Sequence, residues 1–314
     1  MPQRDFRINN YKVSSLKCLL TLIDFEGEKI LNYKDREDRD IYLLSAYYGH
    51  LEIMKYLEEN YNQNVYVVDY MGNNSYINAT LGNNVEILQY LEKKHNFDFR
   101  YKNREECNAY EIAKYSNDNV NYEDVLKYLE NYEIRKIANA LEHFEFKGIK
   151  KFYDISSILI KPTIFNLTND LLKRKIKKYK ITKILAIDAR GFIFGSPLAI
   201  ELGLPLVMVR KKGKMPEQNI ISSKPYTKEY NEVDVLCIPK NSVSKEDNVL
   251  IIDDLIATGG TLNSAIELAK MCEAKSIVCG SIVELKALNG RENLNKAGNE
   301  DVEIFGLIDE DFLE

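Results

Sequence analysis

Val249-Leu250-Ile251-Ile252-Asp253-Asp254-Leu255-Ile256-Ala257-Thr258-Gly259-Gly260-Thr261 leads from an apolar run through two acids and a glycine turn into a helical pattern. Four consecutive apolar residues predict a strand buried on both faces. The glycines let the backbone pass close to a ligand. Thr258, Thr261 and the N–H groups at the helix start form an anion site suited to a phosphate. The lysine of the GxxxxGK[ST] loop is absent, so this is a different kind of phosphate loop. Its distinguishing feature is the acidic pair. Two carboxylates beside a phosphate repel it unless they hold hydroxyls or a cation, and ribose hydroxyls with magnesium meet both conditions.

Outward from this loop the pattern alternates. Further strand-like runs fall at 181–188, 204–210 and 275–284, with the loop's own strand at 247–254. Helical patterns occupy 164–179, 194–203 and 261–273. Apolar strands alternating with helices predict a mostly parallel sheet covered on both faces. Ligands of such sheets bind beyond the C-terminal strand ends, which places the chemistry just after Asp188, Arg210 and Asp254.

The 249–261 string resembles the phosphoribosyl-diphosphate-binding motif of type I phosphoribosyltransferases. Segments over about residues 135–310 are similar to adenine phosphoribosyltransferases in particular. The resemblance implies an α/β type I phosphoribosyltransferase domain over 131–314, acting on adenine and phosphoribosyl diphosphate to give AMP and diphosphate. By it, Asp253 and Asp254 hold the ribose hydroxyls and, indirectly, Mg2+, while Ala257, Thr258, Gly259, Gly260 and Thr261 cradle the 5′-phosphate. Ala189-Arg190-Gly191-Phe192-Ile193-Phe194-Gly195 resembles the diphosphate loop, which makes Arg190 a catalytic candidate and implies a cis peptide at Asp188–Ala189. Arg210, Lys211 and Lys214 fall in a basic loop that supplies cations to the diphosphate, partly across a homodimer interface.

Tyr226-Thr227-Lys228-Glu229-Tyr230 is similar to the catalytic hood, with Glu229 on the acid that handles the purine proton. Lys228 replaces an apolar residue there and Asn231 a glycine, which bears on how the hood moves. Gly148 to Ser156 resembles the base-binding segment, with Phe152 stacking on the base and Leu255 on its opposite face. One extra residue between Gly148 and Asp154, and Tyr153 where arginine is common, leave the choice of base open. Val283 to Arg291 matches a further family-typical segment that carries no assigned role.

The N-terminal 130 residues repeat themselves. HLEIMKYLEE from His50, NVEILQYLEK from Asn84 and NYEDVLKYLE from Asn121 each follow a shorter apolar helix. Ala46, Ala79 and Ala113 are 33 and 34 residues apart, and a longer turn is expected near 117–121 in the third unit. Paired helices at this period resemble ankyrin repeats, with a small alanine on the first helix, Gly49-His50, and Gly72 in the preceding turn. Ser75-Tyr76 and Asn108-Ala109 stand where Thr-Pro is usual, so a generic array of helical hairpins stays open. The resemblance implies an α-helical repeat domain over 1–130 that binds an unidentified protein. Residues 1–40 read as a cap or a degenerate first unit, and His50 as a residue that satisfies turn backbone.

A net charge of −5 argues against nonspecific nucleic-acid binding. No apolar run reaches the ~18 residues of a membrane span, and the N-terminus lacks a signal-peptide pattern. Five scattered cysteines read as reduced thiols of a cytoplasmic protein. Two other readings fit the same residues: a transferase for another purine, and a nucleotide-sensing or scaffold protein acting through its repeats.

Overall fold

The computed structural model describes residues 4–116, 120–146, 149–227 and 233–313. The chain forms two compact units, Met1–Tyr132 and Glu133–Glu314.

The first unit opens with an antiparallel hairpin, β1 (Phe6–Ile8) and β2 (Tyr11–Val13), followed by α1 (Leu16–Glu26). Paired helices follow: α2 (Ile41–Tyr48) with α3 (Leu51–Tyr61), α4 (Ser75–Leu81) with α5 (Val85–His95), and α6 (Ala109–Tyr115) with α7 (Glu123–Ala138). The longer turn expected near 117–121 lies partly outside the described residues.

Three local devices recur at a strict interval of 34. Asp35, Asp69 and Asn103 each turn the chain before a helix pair by accepting two backbone N–H bonds: from residues 37 and 39, 71 and 73, and 105 and 107. Asp40, Asn74 and Asn108 cap the first helices, each accepting from the N–H three residues on. Tyr42, Tyr76 and Tyr110 are buried and donate to Glu58, Glu92 and Glu130 of the second helices.

The glutamates then join neighbouring pairs. Tyr90 donates to Glu58 at 2.8 Å, and Tyr128 donates to Glu92. Each phenol thus buries its ring in the shared core while its hydroxyl is satisfied. Burial alone would raise the Glu58 carboxyl. Lys94, Tyr42 and Tyr90 more than offset it, and the group sits below its ordinary value.

The structural register corrects the alanine spacing. The equivalent buried positions are Ser45, Ala79 and Ala113, so Ala46 is one residue out of step. His50 reaches backbone, but outside its own turn: its ring nitrogen lies 2.7 Å from the Arg4 carbonyl. Close approach of the pairs is sharpest at Gly82, where a Cβ would meet the Tyr47 carbonyl oxygen at 1.8 Å.

The second unit begins with a hairpin, β3 (Glu142–Phe146) and β4 (Ile149–Asp154), then α8 (Ser156–Leu159) and α9 (Pro162–Ile176). Its main sheet uses β5 (Lys183–Ile187), β6 (Leu206–Lys211), β7 (Ile220–Ser222), β10 (Leu236–Pro239), β11 (Asn248–Ile256), β12 (Ser276–Glu284) and β13 (Glu303–Ile308). A small antiparallel pair, β8 (Tyr226–Thr227) and β9 (Val233–Asp234), stands apart from it. The order is β13-β12-β11-β5-β6-β10-β7; the first five strands are mutually parallel, and β10 runs antiparallel to both neighbours.

Alternation along the strands builds two apolar faces. Ile184, Ala186, Leu250 and Ile252 share the face against α10 (Gly191–Leu202), whose Gly195 would place a Cβ 2.7 Å from Ala186. Leu185, Ile187, Val249 and Ile251 share the other face with Leu262, Ala265, Ile266 and Ala269 of α11 (Gly260–Met271). The last helix, α12 (Gly290–Lys296), follows β12.

Gly82→Ala forces a methyl group into the Tyr47 carbonyl and should cost about 1–3 kcal/mol, as overpacking does. Thermal unfolding of the full chain measures this. An unchanged midpoint would mean that the helix pairs are not held this closely.

Candidate active site

Strand β5 is followed by α10 on one face of the sheet, and its neighbour β11 by α11 on the other. The connections diverge between these two strands, which opens a crevice at their C-terminal ends. Pairing of β11 with β5 stops at Ile252–Ala186, while pairing with β12 continues through Asp253, Leu255 and Ile256. The acidic pair therefore sits on a strand end held from one side only.

Two glycine segments bring the backbone to this crevice. The Asp188–Ala189 peptide is cis, as expected, and Arg190 immediately precedes α10. A Cβ on Gly191 would meet the Ile252 carbonyl oxygen at 2.4 Å, so only glycine lets α10 start this close to β11. On the other side Gly259 has φ +86 and precedes α11, whose first turn has no side-chain cap. The N–H groups of Gly260 to Leu262, at the start of the helix that follows β11, lack an intrahelical partner and lie at the positive end of the helix dipole.

Between these segments lies the acidic pair. Asp254 is buried, and its carboxylate lies 3.0 Å from the Arg190 guanidinium. Asp253 accepts the Asp254 N–H at 2.9 Å. Both carboxyls are raised above their ordinary value. Burial is the largest cause for each; the Asp254 charge adds to it at Asp253, and Arg190 opposes it at Asp254.

The other predicted site residues fall as follows. Ala257 is buried, and Thr258 and Thr261 are half-buried on the loop and first helical turn. Arg210 is held by Asp188 at 3.1 Å and Lys211 by Asp234 at 3.3 Å, so both basic side chains are engaged inside the chain. Lys214 is exposed. Phe152 is half-buried on β4, opposite Phe144 of the hairpin, and Leu255 is half-buried near the end of β11. Glu229 lies outside the described residues, as does Gly148; β8 and β9 flank residues 228–232.

The structure adds Asp188 and Asn293 to the site's neighbourhood. Asp188 ends the β5 run and grips Arg210, a pairing across 22 residues that no local pattern announces. Asn293 Nδ2 donates to the Thr258 carbonyl at 3.0 Å.

Together these features define a phosphoribosyl transferase domain, and that domain family matches residues 154–305. Adenine phosphoribosyltransferase of Solidesulfovibrio magneticus is 39% identical over 170 residues, covering 54% of this chain and 97% of that protein. The Actinobacillus succinogenes enzyme is 40% identical over 176 residues, covering 56% and 94%. Among solved structures, Trypanosoma brucei adenine phosphoribosyltransferase, in complex with AMP, pyrophosphate and ribose-5-phosphate, is 30% identical with a TM-score of 0.54, over 58% of this chain and 81% of that one. The Leishmania tarentolae enzyme is 33% identical with a TM-score of 0.53, over 57% and 88%. The chain belongs to the adenine phosphoribosyltransferase family and is a phosphoribosyltransferase.

A carboxyl raised in the folded state favours the protonated native form. Stability from this source is full below the ordinary value of 3.8 and is lost as pH climbs through the raised range. Asp253→Asn keeps the acceptor for the Asp254 N–H and removes a group that can ionise beside Asp254. The unliganded variant should therefore melt above the wild type at pH 7, and the gap should close as pH falls towards 4. A variant less stable than wild type at pH 7 would show that the pair is not strained by its own charge.

Proposed function

We propose that the second unit transfers the phosphoribosyl group of phosphoribosyl diphosphate to adenine, giving AMP and diphosphate. The observation that carries this reading is the ion pair between Arg190 and Asp254. It joins the diphosphate-loop candidate to an acidic pair lying beside an uncapped helix start. Those three elements match the three parts of the ligand: diphosphate, ribose hydroxyls and 5′-phosphate.

In this reading Ala257 to Thr261 take the 5′-phosphate through backbone N–H groups and threonine hydroxyls. Asp253 and Asp254 accept the ribose hydroxyls. Arg190 exchanges part of its bond to Asp254 for the diphosphate, where negative charge grows as the C1′–O bond breaks. Arg210, Lys211 and Lys214 add cations on the same side, the first two after leaving Asp188 and Asp234. Phe152 and Leu255 hold the base, and Glu229 takes the proton that the attacking base nitrogen loses as the C1′–N bond forms. Closure of the hood keeps water from the reactive sugar.

The acidic pair also fits Mg2+. Two adjacent carboxylates at one strand end, of which Asp254 is paired with Arg190 among the described residues, supply oxygen donors of the kind a hard cation takes. No group of three or more His, Cys, Asp or Glu side chains among the described residues could hold a metal by itself, so Asp253 and Asp254 would hold it through ribose hydroxyls or water. When bound, magnesium supplies positive charge to the departing diphosphate.

A homodimer is part of the proposal. Leu206 and Met208 lie on the α10 face of β6 yet remain 36% and 47% exposed, and Ile200 of α10 is 82% exposed. An uncovered apolar strip of this kind suits a second copy. Sedimentation should give twice the chain mass of 36.4 kDa. A 36.4 kDa species at micromolar concentration would remove the dimer from the account.

For the first unit we propose an ankyrin-type array that holds a protein partner. The 34-residue recurrence of turn, cap and buried tyrosine supports it, as do the exposed Tyr70 and Tyr101. A cytoplasmic setting accords with five free thiols. No described helix is long and apolar enough to cross a membrane. A Tyr70→Ala/Tyr101→Ala variant that retains every partner captured by the wild type would count against this use of the surface.

The test of substrate is a panel of adenine, hypoxanthine and guanine with phosphoribosyl diphosphate and Mg2+. Adenine should lead in kcat/KM by at least about 100-fold, the scale set by misplaced hydrogen bonds to a base edge. Glu229→Gln should lower kcat by roughly 10²–10⁴ if it handles the proton. Equal use of guanine or hypoxanthine would reassign the base.

A further inference from the structure

The segment from Val283 to Arg291 has no part in the chemistry above, yet it stands directly behind the phosphate loop. Leu285 N–H donates to the Ile256 carbonyl at 2.9 Å, which ties the end of β12 to the end of β11. At Gly290 a Cβ would meet the Ala257 carbonyl oxygen at 2.4 Å, and at Gly259 a Cβ would meet the Gly290 carbonyl oxygen at 2.8 Å. Loop and helix start are thus in backbone contact, with glycine on both sides. One turn into α12, Asn293 donates to the Thr258 carbonyl. That bond fixes a peptide plane inside the loop, and so fixes where the following N–H points.

The helix that provides this backing is short; α12 buries Leu294 in the core and is tied to β12 and β13 by Arg291. Arg291 makes a two-pronged bond to Glu284, at 2.5 Å from Nε and 2.7 Å from Nη2, and donates from Nη1 to the Ile304 carbonyl of β13 at 2.5 Å. Glu284 is buried at the end of β12, and a Cβ on Gly306 of β13 would press on it at 2.8 Å. The fork geometry needs a guanidinium, because an ammonium cannot span both carboxylate oxygens and the carbonyl in one plane.

We infer that Asn293, set by the Arg291–Glu284 anchor, is a positioning residue for the 5′-phosphate cradle, holding the Thr258–Gly259 peptide ready before the ligand arrives. The inference rests on reading residues 257–261 as the phosphate cradle. Asn293 touches the loop from behind and is exposed, so its loss leaves the core intact. Its effect falls on binding of phosphoribosyl diphosphate and spares binding of the base.

The test is calorimetric titration of the full chain with phosphoribosyl diphosphate and Mg2+, with steady-state kinetics and thermal melts run alongside. Asn293→Ala should weaken phosphoribosyl diphosphate binding about 5- to 10-fold and raise its KM to match, with the KM for adenine and the melting temperature unchanged. Asn295→Ala, exposed on the same helix, should behave as wild type. Arg291→Lys keeps the charge but not the fork and should weaken binding at least as much as Asn293→Ala. Wild-type affinity in Asn293→Ala would overturn the positioning role alone. Equal loss of adenine and phosphoribosyl diphosphate affinity would also overturn it, by showing general damage. Failure of the wild type to bind phosphoribosyl diphosphate would instead overturn the reading of the loop, and this inference with it.

Discussion

Two carboxylates on adjacent residues at the end of a buried strand, one of them paired with the Arg190 guanidinium, are the constraint around which the catalytic unit is arranged. Asp253 and Asp254 cannot both ionise there without cost, because burial and mutual repulsion each favour the proton. Arg190 relieves only part of it. In the proposed function, hydroxyl donors and a cation at this pair would relieve the charge conflict that folding creates.

The fold serves this pair through close backbone approach. Gly191 brings α10 against the Ile252 carbonyl, and Gly259 and Gly290 bring the 257–261 loop against the start of α12. Each contact leaves no room for a methyl group, so the loops are set by backbone packing before any side chain acts. The divergence of helices on either side of β5 and β11 then places the crevice at the strand ends that carry the carboxylates. The repeat unit uses different means. Tyrosine hydroxyls and glutamates cross-link successive helix pairs, and glycine again allows the closest approach.

Much of the catalytic unit was legible because buried parallel strands read as continuous apolar runs. The four expected strands lie within two residues of Lys183–Ile187, Leu206–Lys211, Asn248–Ile256 and Ser276–Glu284 at every end. Short edge strands were not legible. The edge strand Ile220–Ser222, like its inner neighbour Leu236–Pro239, is too brief for periodicity to separate strand from loop. In the repeats the period was clear but the register was not, because Ser45 and Ala46 are both small and both buried, and only the 34-residue interval of turn, cap and tyrosine tells them apart. The turn positions Asp35, Asp69 and Asn103 escaped notice because Asp and Asn share one feature, a side-chain oxygen that accepts backbone N–H. Long-range pairs such as Arg210 with Asp188 depend on strands that meet only in the folded sheet. The loop of Arg190 and the acidic pair were both readable as separate motifs; their direct ion pair was not.

The most direct measurement is AMP formation from adenine and phosphoribosyl diphosphate with Mg2+, comparing wild type with Asp253→Asn/Asp254→Asn, both verified as folded by circular dichroism. The acidic pair acting as the ribose site predicts turnover in the wild type and a loss of at least about 100-fold in kcat/KM in the double variant, the scale of two lost charge-assisted hydrogen bonds. Turnover that survives in the double variant, or a folded wild type that makes no AMP, would contradict it.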